Sequence, residues 1–518
     1  MLLSCHAVAQ IAGGETSDIG GANDGRRVAL WQGMDYSVAM QASFADGNTP
    51  LWLNANKHGL SSLDGSNGYV RAAVGRPLSV DGGRRWGVGY RLDLVVPASY
   101  TSDFVVQQAY IEGRWLHGVL TIGSKEWPME LKNNALSSGS QTLGINARPV
   151  PQVRVALPDY WTVPLTRGRV QLKGHLAYGM MTDDGWQHEF TQRASKYADD
   201  VLYHSKAGYL RIGKAGEHRA ALSLELGLEM ACTFGGTAYR FDDDGTVEVL
   251  RGDRSLKGFW HALIPGGSDA GDTKYTNTAG NHVGSWVARV NYESDAFAVR
   301  LYADKFFEDH SAMLQVDYDG YGTGDEWNEK KDSRWLVYDL KDIMLGLEVN
   351  LHRCRAVRNV VVEYIYTKYQ SGAIFHDHTE SISDHIGGTD NYYNNYVYPG
   401  WQHWGQVIGN PLYRSPIYND DGTIEVQDSR FMALHLGVDG AVTRSLSWRV
   451  LATWQEGLGT YAKPYTREHH NTSVLVEASY TLPRGWNVTA GGAIDRGHIL
   501  GSNSGVQLTV TKSGLLGR

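Results

Sequence analysis

Alternation with a period of two residues recurs along almost the whole chain. In residues 219–230 the even positions are Ala220, Leu222, Leu224, Leu226, Leu228 and Met230, and the odd ones are Arg219, Ala221, Ser223, Glu225, Gly227 and Glu229. Successive side chains of a strand point to opposite faces, so such a segment needs an apolar medium on one side and solvated polar groups on the other. Trp86, Val88, Tyr90, Leu92, Leu94 and Val96 alternate in the same way with Arg85, Gly87, Gly89, Arg91 and Asp93, as do Leu446, Trp448, Val450, Ala452 and Trp454 with Ser447, Arg449, Thr453 and Gln455. Repeated through a long chain, this pattern predicts an all-β transmembrane antiparallel barrel of the outer-membrane kind.

The pattern predicts eighteen strands, at 35–45, 68–78, 84–97, 104–113, 116–124, 151–158, 168–180, 205–213, 218–231, 283–293, 295–305, 343–352, 357–370, 428–440, 444–456, 472–483, 485–495 and 504–512. The weakest is 104–113, where Gln107 and Gln108 break the alternation. Connections after even-numbered strands are short, and every long one, including 125–150, 232–282 and 371–427, follows an odd-numbered strand. Outer-membrane barrels sort their connections in this way, with short turns in the periplasm and long loops outside. An even strand count places both termini in the periplasm.

At 518 residues the chain could hold several soluble domains, but a large barrel is a single unit of this size. Its 61 glycines, 29 tyrosines and 16 tryptophans suit a barrel, as does a negative mean hydropathy, because only every second strand residue meets lipid. No run approaches the roughly 20 apolar residues of a helical span. A net charge of −8 argues against nucleic acid as a partner. Residues 1–9 read as the remnant of a secretory signal, ending in the small-x-small site Ala7-Val8-Ala9, with an apolar stretch too short for a whole one. Either translation starts upstream or the segment is vestigial; Leu2-Leu3-Ser4-Cys5 also has the form of a lipoprotein box, though nothing basic precedes it. Residues 10–33 then form a periplasmic segment, and 34–518 the barrel with its loops. Cys232 and Cys354 fall at opposite ends of the barrel, so no disulfide joins them.

The alternation turns Arg91, Asp93, Lys173, His175, Glu225, Glu229, Arg289, Glu348, Glu363 and Glu477 into the lumen, since each would be costly against lipid. Charges of both signs there either hydrate and cross-brace the interior or line a selective pore.

The loops carry a series of words. Pro50-Leu51-Trp52-Leu53-Asn54-Ala55-Asn56-Lys57-His58-Gly59-Leu60 follows the first strand. Ser137-Ser138-Gly139-Ser140 and Asn146-Ala147-Arg148-Pro149-Val150-Pro151-Gln152 follow the fifth, and Phe307-Glu308-Asp309-His310-Ser311-Ala312-Met313 the eleventh. Glu363-Tyr364, Thr367-Lys368, Gln370-Ser371-Gly372, Asp390-Asn391-Tyr392-Tyr393-Asn394-Asn395, Gly400-Trp401 and Gly409-Asn410-Pro411-Leu412 complete the order. Over most of residues 34–512 these words closely resemble the capsule assembly Wzi family. The resemblance implies a Gram-negative outer-membrane barrel, plugged by its own loops and exposing them at the cell surface. It also implies a non-catalytic lectin that anchors capsular polysaccharide, with outer-membrane lipid around it and capsule export machinery as a further partner. The chain departs from that family in offering little sequence for a periplasmic helical bundle, and in ending Gly514-Leu515-Leu516-Gly517-Arg518 without a terminal aromatic residue.

Sugar recognition sets flat aromatic rings against pyranose faces and places amides and carboxylates on the hydroxyls. Asp390, Asn391, Tyr392, Tyr393, Asn394, Asn395, Tyr396, Trp401, His403 and Trp404 supply that mixture, and facing outward they would form a polysaccharide site. Packed inward, the same residues would hold the long loop in the barrel mouth. Trp52, Trp127 and Trp161 read as interface-belt or loop-packing residues. Glu308-Asp309 and Asp390 are the acids a glycosidase would pair across a sugar, but nothing in the sequence pairs them, so no catalysis is expected. His376-Asp377-His378 lacks the spacing of a zinc site, and Asp317, Asp319 and Asp325 lack the closing position of a calcium loop, so no metal or other cofactor is expected. The rival to the lectin is a porin-like channel for sugars or small solutes.

Overall fold

A computed structural model describes residues 29–213, 221–242, 244–265, 279–308, 324–326, 328–329, 341–376 and 385–516. Eighteen strands close into one antiparallel barrel, as the alternation predicts. In chain order they are β1 Asp35–Asp46, β2 Ser66–Arg76, β3 Trp86–Ala98, β4 Val105–Trp115, β5 Gly118–Ser124 and β6 Gln152–Thr162. There follow β7 Val170–Met180, β8 Leu202–Gly213, β9 Ala221–Phe234, β10 Asn281–Glu293, β11 Phe297–Glu308 and β12 Ile343–Leu351. The last six are β13 Asn359–Tyr366, β14 Phe431–Ala441, β15 Leu446–Gly459, β16 Pro464–Leu482, β17 Trp486–Gly497 and β18 Asn503–Leu515. Each pairs with its sequence neighbours, and β1 closes the wall on β18, with Asp35 opposite Leu515 and Asp46 opposite Ser504.

The wall shows the two faces that the period of two demands. On β9 Leu222 and Leu226 are 63% and 42% exposed, whereas Ser223, Glu225 and Glu229 are buried. Exposed Trp86 and Trp115 stack at 5.9 Å near the short-turn end, where Tyr292, Tyr480 and Trp486 are also exposed, forming the aromatic girdle of a membrane boundary. The broken alternation at Gln107 and Gln108 is a β-bulge: Asp93 pairs with Gln108 and Leu94 with Val106, so Gln107 is the extra residue. Both glutamines are buried, and both donate to Glu126, at 2.8 and 3.2 Å.

Most boundaries differ from the predicted ones by up to three residues, and three differ by four or more, among them the end of β6, which runs to Thr162 rather than 158. β13 ends at Tyr366 rather than 370, because Thr367 leaves the ladder and its hydroxyl bonds the carbonyls of Ser429 and Phe431. β16 begins at Pro464 rather than 472, since the hairpin with β15 continues to the pair Gly459 and Pro464. Its first residues, Tyr465 to His470, are polar on both faces, so no alternation marked them.

Short turns gather at one end and long loops at the other. At the turn end Arg76 and Asp81 form a 2.8 Å ion pair inside the β2–β3 turn, and Tyr90 bonds the carbonyl of Leu30 at 2.9 Å. Of the segment 10–33, only residues 29–33 are described. Cys354 is exposed in the turn after β12, and Cys232 is buried near the loop end of β9.

The main hydrophobic core lies inside the barrel. Leu51, Trp52, Leu53, Leu136, Trp401, Val407 and Tyr413 from the loops pack there against Tyr203, Tyr302, Met344, Val361, Phe431 and Leu475 of the wall. This filling is a plug, and it brings together chain segments that are hundreds of residues apart.

Candidate functional site

Among the described residues, three loops make the plug. After β1, Leu51–Asn54 forms a single helical turn with all four side chains buried, and the Leu51 N–H donates to Asp495 at 3.0 Å. The loops then tie to each other through amides: Asn56 to the Ser138 carbonyl at 2.9 Å, Asn146 to the Val407 carbonyl at 3.0 Å, and Asn54 to the Tyr418 hydroxyl at 3.1 Å. A buried loop must satisfy its own backbone and side-chain groups, which explains the asparagine-rich words in these segments.

The charges assigned to the lumen line it, and each meets a partner. Arg91 pairs with Asp35 at 2.9 Å, Arg71 with Asp93 at 2.5 Å, Arg289 with Glu225 at 2.7 Å, Arg300 with Glu348 at 2.9 Å and Arg449 with Glu477 at 3.1 Å. Others reach the plug. Lys173 meets Glu130 at 2.7 Å, Glu229 accepts from Ser140 at 3.3 Å, and Lys132 meets Asp304 at 2.6 Å. Glu363 accepts from the hydroxyls of Ser137 and Tyr302, each at 2.5 Å, and from the Ser138 N–H at 2.8 Å. The lumen polarity therefore cross-braces the wall and fastens the loop 125–151.

The stretch expected to face outward divides in two. Tyr392, Tyr393 and Trp401 are fully buried in the plug, where Tyr393 stacks on Tyr413 at 3.9 Å and Trp401 on Tyr203 at 6.0 Å. The Trp401 indole N–H donates to the Thr142 carbonyl at 3.0 Å, leaving neither its face nor its edge for a ligand. Asn394 is spent on Asn391 and on the Val426 carbonyl, and Asn395 caps the Val397 and Tyr398 N–H groups. Asp390 and Asn391 are half-buried at the root of the same loop. Of the aromatic residues in the stretch, Tyr396 is exposed and stacks under Arg240 at 3.7 Å, and Trp404 is half-buried and stacks under Arg148 at 4.1 Å.

Trp404 owes its position to a tight hairpin. Gln402 pairs with Val407 and His403 with Gln406, leaving Trp404-Gly405 as a two-residue turn in which both residues have positive φ, 56° and 76°. Such turns favour Asn or Gly at the first position, so a tryptophan there is a strained choice, of the kind found where a side chain is being aimed. It borders a recess of about 30 Å³, room for about two waters, lined by Thr182, Asp183, Gln187, Asp200, Gln402 and His403. The Asp200 side chain is 73% exposed, so the recess opens to solvent.

His403 is a brace rather than a free ligand. Its Nε2 accepts from the Thr182 N–H at 3.1 Å, so its Nδ1–H donates to the Arg148 carbonyl at 2.8 Å, and the ring joins three loops in its neutral form. Burial holds its pKa down to about 4, below the ordinary 6.5. Between those values the unfolded chain binds more protons than the folded one, so this contribution is complete above pH 6.5 and is lost as pH falls through 4. A shift of this size corresponds to about 3 kcal/mol. Asp428 runs the other way: burial raises its carboxyl to about 7, so its contribution is full below 3.8 and fades as pH rises through 7. Comparison of wild type with H403Q isolates the histidine. Thermal unfolding midpoints are expected to fall more steeply in wild type than in H403Q between pH 6.5 and 4.

Glu308, at the end of β11, accepts the Tyr393 N–H at 2.6 Å and so holds the plug; Asp309, Asp317, Asp319, Asp377 and His378 lie outside the described residues. Among the described residues Glu456, Glu468 and His470 bring three ligand atoms within 4.8 Å of one another, with Lys368 already bound to Glu456. Sequence reasoning missed the recess and the two arginine–aromatic stacks, because Arg148, Asp183, Arg240 and Trp404 come from four separate stretches of chain. The local signal was the Trp-Gly pair between Gln402-His403 and Gln406-Val407.

A closed eighteen-strand wall, apolar outside and filled by its own loops, defines an outer-membrane β-barrel. The chain is similar to Wzi of Escherichia coli, a carbohydrate-binding β-barrel of the outer membrane involved in group 1 capsule assembly, with 13% identity over 93% of this chain and 85% of that one and a TM-score of 0.56. The resemblance in the loop words thus meets a matching fold. Pseudomonas aeruginosa OprD aligns over 94% of this chain and 96% of its own at 9% identity and a TM-score of 0.43. Acinetobacter baumannii OccAB4 aligns over 93% and 98% at 8% identity and a TM-score of 0.44. No family model and no curated protein matches the chain.

Proposed function

We propose that this barrel binds surface polysaccharide through its outer loops and holds it at the cell surface, and that it conducts nothing. The observation that supports this best is the plug: Leu53, Leu136, Trp401 and Phe431 are each at most 1% exposed in the middle of what would be the channel. A porin-like function needs that space to hold water. Among the described residues the loop end offers Trp404 and Tyr396, two rings held flat by arginines, with Asp183, Asp200 and Gln187 lining the recess beside Trp404. Rings present pyranose-sized apolar faces, and the carboxylates and amide suit sugar hydroxyls. Individually weak contacts become retention when one polymer engages many copies.

Binding of purified capsular polysaccharide to proteoliposomes tests the assignment. Losing one ring contact worth about 0.5–1.5 kcal/mol weakens a single site by about 2- to 10-fold. W404A and Y396A are each expected to show that loss with unchanged heat-shifted gel mobility, and binding equal to wild type in the double variant would remove these residues from the site.

A further inference from the structure

The loop after β9 does not stay over the barrel mouth. Its helix Leu256–Leu263 lies against the outside of the wall. On β7 the outward positions are Leu172, Leu176 and Met180, each 39–44% exposed, and Tyr178 shares their face. On β8 and β9 Ile212, Leu222 and Leu226 point outward, and unbroken register carries that face up to Lys206, Cys232 and Phe234. The helix packs on these outward residues: Phe259 and Ala262 cluster with Tyr178, Cys232 and Phe234, and the Tyr178 hydroxyl bonds the Phe259 carbonyl at 2.8 Å. Lys206, an outward cation level with Leu176 across the ladder, donates to the Leu263 carbonyl at the helix C-terminus.

With that face covered, the opposite face should be polar if it met only water. Instead Leu256 and Trp260, at i and i+4, and Ile264, the residue that caps the helix C-terminus, are 90%, 56% and 51% exposed. They form one apolar stripe turned away from the wall. Arg251, Arg254 and Lys257 are exposed around it; Arg254 lies 3.7 Å from the Asp200 carboxylate, and the Asp253 carboxylate is taken by the Ser255 N–H at 2.8 Å. A short helix with a tryptophan-centred apolar stripe and a basic surround has the composition of an element lying in a membrane interface.

We propose that Leu256–Leu263 is an interfacial anchor seated in the outer leaflet, its stripe among the acyl chains and its cations on anionic headgroups. Two features of the fold select lipid as the occupant. The stripe continues the lipid-facing surface of the wall, since Leu176 and Met180 flank the Tyr178 on which the helix rests. The charge around it also complements anionic lipid. The anchor would set the depth and tilt of this sector, and with them the height at which the loop end stands above the membrane.

Nitroxide labels report this directly. L256C, W260C and I264C are made singly in a C5S, C232A, C354S background and placed in vesicles of phosphatidylethanolamine, phosphatidylglycerol and lipid A. L226C, on the wall, serves as the lipid standard and D420C, in an exposed loop, as the aqueous one; heat-shifted gel mobility confirms folding of each, and the three positions stand independently. The expected result is a shift of all three labels to the oxygen-rich, nickel-chelate-poor accessibility of L226C. Accessibility equal to that of D420C would overturn the proposal, as would dipolar broadening between labels, which would mean that a second copy covers the stripe.

Discussion

D304A is expected to lower the unfolding free energy by about 3–5 kcal/mol and to turn a silent barrel into a conducting one. Lys132, in the plug, and Asp304, on β11, pair at 2.6 Å with side chains 2% and 0% exposed. The same carboxylate accepts the Gln141 N–H at 3.1 Å, so alanine strands a buried ammonium and a buried amide together. The wall keeps its ladder of hydrogen bonds, so the loop 125–151 is the part that gives way. Replacement of both partners by apolar residues of similar volume is often neutral or stabilising. K132M/D304L removes the stranded ammonium and leaves only the Gln141 N–H without its acceptor, so it is expected to recover much of the lost stability and to restore silence in planar-bilayer recordings, which a general weakening of the barrel by either substitution would not do.

W401A is expected to cost a further plug of comparable worth, about 3–5 kcal/mol, by the usual penalty of a large cavity in a packed core. Trp401 is fully buried, stacks on Tyr203 and donates to the Thr142 carbonyl, so its removal loosens two loops at once. Both chemical denaturation and conductance read this change. The comparison with W404A carries the functional meaning. W404A removes a half-exposed ring at a hairpin tip and should leave conductance silent and stability within about 1 kcal/mol of wild type, while weakening polysaccharide binding. W401A should disturb the plug first, with any loss of binding following from it.

The wall was legible in the sequence because each strand carries its own evidence. A residue such as Leu226 declares its face through its immediate neighbours Glu225 and Gly227, and the medium on that face is uniform lipid. The exceptions occur where the medium changes. Tyr465 to His470 continue β16 beyond the apolar band and show no alternation, and Gln107 occupies a bulge that serves the buried Glu126. The plug was legible only as words, because its contacts join distant residues: the Trp401 to Thr142 bond spans 259 positions. No local periodicity encodes such a bond. For the same reason the mixture of aromatics and amides at 390–404 could be read as a sugar site or as packing. The structure divides it, with Tyr392, Tyr393 and Trp401 packed inside and Tyr396 and Trp404 reaching solvent. The helix on the outer wall was hidden in what the pattern treats as a loop, since eight residues hold too few periods to separate from their surroundings.

Retention of polysaccharide by the loop end of a sealed barrel can be read on cells. Its most direct measurement is the amount of capsule kept on the cell and shed into the medium after deletion of the gene, with restoration by wild type or by W404A/Y396A. The expected result is shedding on deletion, full repair by wild type, and poor repair by a variant that inserts normally and stays electrically silent. Unchanged retention on deletion would contradict it.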